Sequence, residues 1–352
     1  MADVSDPKTE NSQTPPANPS AVGEQQSTSF AKPAQPLQAN TLRLGTWLQV
    51  KSAAAIGDML DINGTTEELP FMPEMLEYCG KRFQLAKFAN TVCANVGDVE
   101  MRGLQNVVVL KIDRCDGCFH GDCQMGCEFL WKLDWLEQTD APERDSGSIV
   151  PPESPPSQLR EKLVQLTVGT RKQEPAKSSG QYFRCQATEL GAASRQSSPL
   201  HFGQYLVENK TNGTPWSSIV GYIAKLFVKK ALRRNDSVAG PCKKTPVDVL
   251  NLQPGDQAKV KSIEKILETL DARGCNRGLW FDPAEMKPFC GQTLTVTRRI
   301  DRIIDEGSGE LLEMKVPSIV LNETQCSGLH RRFCSRAMLH FWREVWLERV
   351  DS

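Results

Sequence analysis

One segment of this chain occurs twice: residues 44–137 and 254–348 are diverged copies of one module. A shift of 210 positions, which becomes 211 near Ala284, aligns glycines, prolines, cysteines and tryptophans of the two copies. The clearest matches are Lys51-Ser52 with Lys261-Ser262, Leu60-Asp61 with Leu270-Asp271, Cys79-Gly80 with Cys290-Gly291, and Trp135-Leu136-Glu137 with Trp346-Leu347-Glu348. Residues kept in both copies are those that the module itself requires. We therefore expect a tandem repeat of one folding unit.

Each copy has the pattern of short strands with one small helix. In the second copy, alternation through Ala258 and Val260 predicts a half-buried strand, and the apolar spacing of 263–270 predicts a helix that ends before Gly274. A repeated strand-helix-strand pattern and a Gly-rich phosphate loop are both missing from the sequence, which disfavours nucleotide-binding folds. The predicted class is α+β, mainly β, with two tandem SH3-like small-barrel modules joined by a partly helical middle region.

Composition divides the chain into five regions. Residues 1–42 contain six prolines and a single aromatic residue, too little apolar surface to offset the entropy of ordering. The expected regions are a disordered tail 1–42, module one 43–137, a Pro/Ser-rich linker 138–157, a middle region 158–250, and module two 251–350.

The middle region contains a predicted basic amphipathic helix over residues 217–234. Ile219, Ile223 and Phe227 repeat at helical spacing, while Lys225, Lys229 and Arg233 gather towards the C-terminal end. Such a helix can bind an anionic membrane surface or a protein partner. A core-facing helix with a solvated basic end is the more common case, and we favour it.

Charge and cysteine content limit the functional class. The net charge of −1 argues against a strongly basic nucleic-acid-binding protein. The N-terminus has neither a basic segment nor an apolar segment typical of a secretory signal, so we expect a cytoplasmic protein. In a reducing compartment, twelve cysteines are more typical of metal ligands or reactive thiols than of disulfides.

Three cysteines of each module are kept in the other, and a histidine follows the second of them. Tetrahedral zinc uses four sulfur or nitrogen ligands, so the pattern predicts up to two zinc ions per chain. The predicted ligands are Cys79, Cys115, His120 and Cys123 in module one, with Cys127 and Cys118 as competitors, and Cys290, Cys326, His330 and Cys334 in module two. His120 aligns with Arg331 rather than with His330. Inert core thiols and redox chemistry remain alternatives, and an iron–sulfur cluster is disfavoured by the spacing.

Paired tryptophans are the second shared feature. Trp131 and Trp135 in module one correspond to Trp342 and Trp346 in module two. They form either an aromatic binding wall or part of the core, and their size favours the core. Glu74, which corresponds to Glu285, is either a functional acid or, as we favour, a solvated or helix-end charge.

Several longer strings resemble a family of uncharacterised bacterial proteins with tandem Cys-containing modules. They are LNLQPGDQAKVKS, ILETLDARG, RGLWFDPAEM, RIIDEGSGEL, FWREVWLERV, YFRCQATEL, LPFMPEMLEYCGKRF and HGDCQMGC. The resemblance covers nearly all of the chain after residue 40 and implies a bacterial source without an activity. A histidine between the last two cysteines of module two is not part of that pattern, which argues against His330.

Two functional classes follow from these observations. The first is a non-enzymatic zinc-binding scaffold or adaptor for partner proteins. The second is an enzyme or accessory factor of a biosynthetic pathway that uses the module one Cys/His cluster as an open metal or thiol site. Nucleic-acid binding through SH3-like barrels is a third and weaker hypothesis. No motif of a serine hydrolase, zinc protease or P-loop is present, so the sequence leaves open whether the protein is an enzyme.

Overall fold

Five stretches of the chain are described by the structure, a computed structural model: residues 37–94, 100–141, 156–169, 180–232 and 238–350, without the side chains of 229–232. Most of the predicted tail and most of the predicted linker lie outside these residues. Residues 36–352 belong to one compact unit, so the first and second halves of this part of the chain pack against each other.

The first half of the chain forms a five-stranded antiparallel sheet. The strands of this half are β1 (Trp47–Val50), β2 (Thr65–Thr66), β3 (Leu69–Pro70), β4 (Arg82–Phe88), β5 (Thr91–Ala94), β6 (Glu100–Gly103), β7 (Val107–Leu110), β8 (Trp131–Lys132) and β9 (Leu136–Gln138), five of which form the main sheet. The sheet has the order β8-β7-β4-β1-β9. Helix α1 (Ala53–Met59) follows β1, and Ser52 caps it by accepting a hydrogen bond from Ala55 N at 3.2 Å. Short 3₁₀ helices cover Pro73–Tyr78 and Leu133–Trp135.

The middle region supplies four helices and one short strand. They are α2 (Ser157–Thr167), α3 (Gln186–Ala193), β10 (Arg195–Gln196), α4 (Gly203–Asn212) and α5 (Trp216–Leu232). Strand β10 pairs with β6, which pairs with β5, in a separate three-stranded sheet. Helix α5 covers most of the helix predicted over 217–234, and the last residues of that prediction lie outside the described ones.

The second half forms a four-stranded sheet. The elements of the second half are β11 (Gln257–Val260), α6 (Ile263–Leu267), β12 (Cys275–Asn276), β13 (Leu279–Trp280), α7 (Pro283–Met286), β14 (Thr293–Ile304), β15 (Leu311–Leu321) and β16 (Leu347–Val350), with 3₁₀ helices at Lys287–Phe289 and Glu344–Trp346. The sheet has the order β15-β14-β11-β16. The register of β14 against β15 shifts twice, after Val296 and after Ile300, and such irregularities increase the twist and bend of a strand pair.

More residues lie in strands than in helices, and the sheet curls into a half-barrel. This confirms the predicted α+β class, with more strand than helix. Among the described residues, none of the helices combines the length and the apolar character that crossing a bilayer requires.

Equivalent backbone hydrogen bonds occur at equivalent positions of the two halves. Donor and acceptor correspond by the shifts of the sequence alignment, and each bond is 2.9 or 3.0 Å long. The matched pairs are Lys51 N to Trp135 O with Lys261 N to Trp346 O, Gly80 N to Val50 O with Gly291 N to Val260 O, and His120 N to Gly117 O with Arg331 N to Gly328 O. The two cysteine loops, residues 115–127 and 326–338, therefore follow similar backbone paths.

The two halves contact each other reciprocally through these loops. Cys123 Sγ accepts the N–H of Ile304 at 3.3 Å, and Cys334 Sγ accepts the N–H of Cys93 at 3.2 Å. Positions 93 and 304 are related by the same 211-residue shift as positions 123 and 334. The next residues extend the pairing, with Gln124 N donating to Arg302 O at 3.1 Å and Ser335 N to Thr91 O at 2.8 Å. Each cysteine loop thus lies against a strand of the other half.

All four paired tryptophans lie in the two hydrophobic cores, with no measurable exposure of their side chains. Trp135 packs edge-to-face against Phe71 at 5.1 Å, and Trp346 packs in the same way against Phe281 at 5.5 Å. An aromatic binding wall at these positions is therefore wrong, since rings that fill a core present no face to a partner. Large rings stabilise the core because they remove a large apolar area from water.

Candidate metal centre

The best-formed cluster of potential ligands lies in the first half, between the 3₁₀ helix Pro73–Tyr78 and the cysteine loop 115–127. The loop closes on itself because Cys115 N donates to Cys127 O at 2.9 Å. Gly117 has a φ of +75°, and a side-chain carbon there would collide with the backbone oxygen of Cys123. Glycine at this position therefore allows the loop to fold tightly enough to bring His120 inwards.

Three side chains meet at the centre of the cluster. His120 Nε2 lies 3.7 Å from Cys115 Sγ, and His120 Nδ1 lies 2.9 Å from Glu74 Oε1. One ligand atom from each residue lies within 4.8 Å of the other two, and all three residues are buried. The edge between sulfur and nitrogen in a tetrahedral zinc site is about 3.6 Å long, given the usual zinc–sulfur and zinc–nitrogen distances. The separation of Cys115 and His120 fits that edge.

Two polar atoms of the cluster are buried without a hydrogen bond. Glu74 Oε2 has no partner, and His120 Nδ1, although close to Glu74 Oε1, lacks the angle that a hydrogen bond requires. The other oxygen of Glu74 accepts the N–H of Phe119 at 3.3 Å. Unsatisfied buried polar atoms are costly and often indicate a missing ion or water. A cation beside His120 would compensate the buried carboxylate.

A cavity of about 30 Å³ adjoins the cluster, and three more thiols line it. Its wall includes Cys123, Cys127 and Cys185, together with Cys115 and His120. Among the described residues, no group of three ligand atoms within 4.8 Å contains two cysteines. Closing a tetrahedron therefore requires thiol side chains to rotate into the cavity.

Burial keeps the cavity thiols protonated in the absence of a metal. Burial raises the pKa of Cys115, and the negative charge of Glu74 raises it further. Burial likewise raises the pKa of Cys127 and of Cys185 to about 12. Metal binding would have to displace these protons, since the thiolate is the form that coordinates.

Cys79, the first predicted ligand of module one, is not part of this cluster. Its Sγ points to Met75 O at 4.0 Å inside the hydrophobic core, and it does not line the cavity. Burial raises its pKa to about 12. The residue is conserved between the copies as part of the Cys-Gly turn, where Gly80 N donates to Val50 O.

The predicted site of module two is not assembled in the structure. His330 is exposed, Cys290 and Cys326 are half-buried, and Cys334 is buried at the contact with the first half. No three of these residues bring ligand atoms within 4.8 Å of one another. The position of His120 is taken by Arg331, whose guanidinium pairs with Asp282 at 3.0 Å and cannot ligate a metal.

Glu285, the counterpart of Glu74, is fully hydrogen-bonded. Its two oxygens accept the N–H and the hydroxyl of Ser327 at 2.8 and 3.0 Å. Module two therefore satisfies its buried carboxylate with a neighbouring residue, whereas module one leaves an oxygen unpaired. Among the described residues, the candidate ligand groups lie in the first half.

Two residues of the cluster and its cavity, Glu74 and Cys185, were not among the metal ligands predicted from the sequence. Glu74 is buried rather than solvated, but it lies in the first turn of the 3₁₀ helix Pro73–Tyr78, as the helix-end alternative predicted. Its correspondence to Glu285 was the available signal. Cys185 comes from the middle region, at the N-terminus of α3, where its N–H donates to Thr188 Oγ1 at 2.9 Å. Nothing in the local pattern around Cys185 indicates that α3 packs against the cysteine loop.

The basic helix presents apolar side chains to solvent. Trp216, Val220 and Phe227 are about half exposed or more, and their spacing of four and seven residues places them on one side of α5. Lys225 is exposed, while the side chain of Lys229 and all of Arg233 lie outside the described residues. Ile219 packs inwards against Tyr205 and Phe333. The helix thus has a buried face and an exposed apolar ridge, which we define as Trp216, Val220 and Phe227.

The chain was compared with protein-family models, with curated proteins and with solved structures. None of the three comparisons found a match. The function is therefore inferred from the geometry of the chain itself.

Proposed function

We propose that the protein is a non-enzymatic scaffold stabilised by a single zinc ion in the first half of the chain. Cys115, His120, Cys127 and Cys185 would hold the ion. The observation that carries this proposal is the position of His120, whose Nε2 faces Cys115 while its Nδ1 faces Glu74. A histidine that ligates zinc usually donates its other N–H to a carboxylate. His120 Nδ1 lies 2.9 Å from Glu74 Oε1, so a rotation of the ring on metal binding would complete that hydrogen bond.

Cys127 and Cys185 are preferred over Cys123 for the remaining ligands. The Cys123 sulfur already accepts the N–H of Ile304, a contact that the second half repeats with Cys334. Cys127 and Cys185 line the same cavity as Cys115 and His120. A set of three cysteines and one histidine is a common structural zinc site.

A site closed by four protein ligands leaves no position for water, which favours a structural role over a catalytic one. The proposed ion would join the cysteine loop to α3 of the middle region. We further propose that the two halves are duplicated SH3-like barrels. The equivalent hydrogen bonds and the reciprocal loop contacts support this interpretation.

The metal content of the purified, reduced protein tests the proposal. We expect one zinc ion per chain by elemental analysis, lost in Cys115→Ser and in Cys185→Ser. Cys326→Ser and Cys79→Ser are matched controls and should retain the ion, the former because Arg331 excludes a second site. Circular dichroism would verify that each variant is folded. A metal-free wild type would overturn the proposal, as would loss of zinc in Cys79→Ser with full retention in Cys185→Ser.

A second candidate function uses the same residues as a thiol nucleophile. In space, the carboxylate of Glu74 lies next to the imidazole of His120, which lies next to the thiol of Cys115. This spatial order is the one found in cysteine-based catalysis. The raised pKa of Cys115 opposes it, because a nucleophile requires thiolate. Rapid, His120-dependent alkylation of Cys115 by iodoacetamide at pH 7 would favour the enzyme, and slow alkylation that zinc prevents would favour the scaffold.

For the interaction surface of the scaffold, we propose that α5 docks on an anionic membrane surface. Residues 209–234 contain six lysines and arginines and no acidic residue, so their charge complements anionic lipids. The exposed apolar ridge of α5 suits insertion among headgroups.

Sedimentation with lipid vesicles tests this surface. We expect the full chain to bind vesicles of phosphatidylcholine with phosphatidylglycerol and to leave pure phosphatidylcholine vesicles unbound. Phe227→Ser and Lys225→Glu should weaken binding, and Val249→Ser, an exposed valine outside the helix, should not. Equal binding to both vesicles, or to neither, would contradict the proposal.

A further inference from the structure

The contact between the two halves contains a second pair of cysteines, away from the candidate metal centre. Cys93 lies on β5 and Cys334 in the cysteine loop of the second half, and both are more than nine-tenths buried. Cys93 N donates to Cys334 Sγ at 3.2 Å, so the Cys334 sulfur lies directly against Cys93. The hydroxyl of Ser335, the next residue, donates a hydrogen bond to Phe88 O in the first half at 2.9 Å.

The reciprocal contact provides an internal comparison. There, Cys123 accepts the N–H of Ile304, so the position equivalent to Cys93 has no thiol. One sulfur at each position is sufficient for the backbone contact. The thiol of Cys93 is therefore not required for the backbone contact that both halves make. It places two thiols side by side at the Cys93–Cys334 contact, whereas the Ile304–Cys123 contact has a single thiol.

The surroundings favour the thiolate of Cys93 over that of Cys334. The adjacent Cys334 side chain lowers the pKa of Cys93, and the positive charge of Arg336 lowers it further, against the effect of burial. The same pairing and burial raise the pKa of Cys334. Arg336 is held in place, since it donates to Cys93 O at 2.8 Å and to Glu306 Oε2 at 2.9 Å. One thiol is thus suited to attack and the other to resolve.

We propose that Cys93 and Cys334 are a redox-active dithiol that a hydroperoxide converts into a disulfide between the two halves. Burial of both sulfurs favours a small oxidant such as hydrogen peroxide over a bulky disulfide. The Cys93 thiolate attacks one peroxide oxygen, the O–O bond breaks, and the departing hydroxide takes a proton to become water. Cys93 is left as a sulfenic acid.

In the second step, the Cys334 sulfur attacks the sulfur of Cys93. The S–O bond breaks, hydroxide leaves with the proton of Cys334 as a second water, and the S–S bond forms. The two thiols lose two electrons in total, and the peroxide gains them. The bond links positions 241 residues apart, so it would restrict the unfolded chain and raise the thermal midpoint of the oxidised protein by several degrees.

The test is peptide mapping of the folded full chain after treatment with hydrogen peroxide. Remaining thiols are blocked with N-ethylmaleimide, and the protein is digested without reduction. We expect a peptide that joins Cys93 to Cys334, formed in wild type and in Cys326→Ser and removed by dithiothreitol. Cys326 is the matched control because it belongs to the same loop. A link from Cys93 to another cysteine, a link that forms only in urea, or no link would overturn the proposal.

Trapping with dimedone separates the two roles. In Cys334→Ser the sulfenic acid cannot be resolved, so we expect dimedone on Cys93; in Cys93→Ser we expect none on Cys334. The opposite labelling would overturn the assignment of roles. Peptide mapping of the wild-type protein shows whether the Cys93–Cys334 disulfide forms, and this result does not depend on whether a serine variant folds. The outcome is also independent of the zinc proposal, because neither cysteine belongs to the proposed ligands.

Discussion

His120 and Arg331 occupy equivalent positions in the two halves of the chain, and each donates its backbone N–H to a loop glycine at 3.0 Å. The backbone of the loop is therefore alike, while the side chains differ in chemistry. His120 turns a ring nitrogen towards a thiol, whereas Arg331 places a permanent positive charge beside Asp282. The two loops thus share a backbone path, while the side chain at this position is a potential metal ligand only in the first of them.

His120→Arg should remove the proposed zinc without unfolding the protein. The guanidinium supplies a cation beside Glu74 but no lone pair for a metal, as Arg331 does in the second half. We expect zinc content to fall from about one ion per chain to none, with an unchanged far-ultraviolet circular dichroism spectrum. Arg331→Lys, which keeps the charge, is the control for the second half. Full zinc content in His120→Arg would exclude the histidine as a ligand.

Glu306→Gln should strongly destabilise the contact between the halves. Glu306 and Arg336 form a buried ion pair, and removing one partner leaves an uncompensated buried charge. The expected loss is about 3–5 kcal/mol of the free energy of unfolding, measured by urea denaturation. Glu348→Gln removes an exposed pair with Lys265 and should change stability by less than about 1 kcal/mol. Similar effects of the two substitutions would contradict this account.

Trp135→Ala should cost about 3–5 kcal/mol of unfolding free energy, because it empties a large volume in the first core and removes the hydrogen bond from the indole N–H to Thr66 Oγ1. Trp216→Ala, at a half-exposed position on α5, should cost far less. Thermal or urea denaturation compares the two. Equal losses would show that burial does not distinguish these tryptophans.

The metal-free, reduced protein should lose stability as pH rises from 9 towards 12. Burial raises the pKa of Cys79 from 9.0 to about 12, so the folded thiol keeps its proton where the unfolded thiol releases it. Stability from this group is complete below pH 9 and is lost towards pH 12, with a slope of about 1.4 kcal/mol per pH unit. Cys79→Ala should have a shallower slope by that amount in urea titrations at several pH values. Parallel slopes for the two proteins would refute the assignment.

Local patterns predicted several elements because their causes lie within a few neighbouring residues. The alternation at 257–260 appears as β11, and the apolar spacing after Ser262 appears as α6, which ends at Leu267. The helix predicted over 217–234 corresponds to α5. Side-chain periodicity and capping are properties of short segments, and both can be recognised in the sequence.

The sequence by itself determined the α+β class and several short elements of each half, and it predicted a tandem repeat. Only the tertiary structure decided which cysteines meet. It separated Cys79 from the candidate site, brought Cys185 to the cavity from a helix 70 residues beyond Cys115, and placed Cys334 beside Cys93. Contacts between distant segments depend on how whole sheets and loops pack, and a local pattern of residue types does not encode that arrangement.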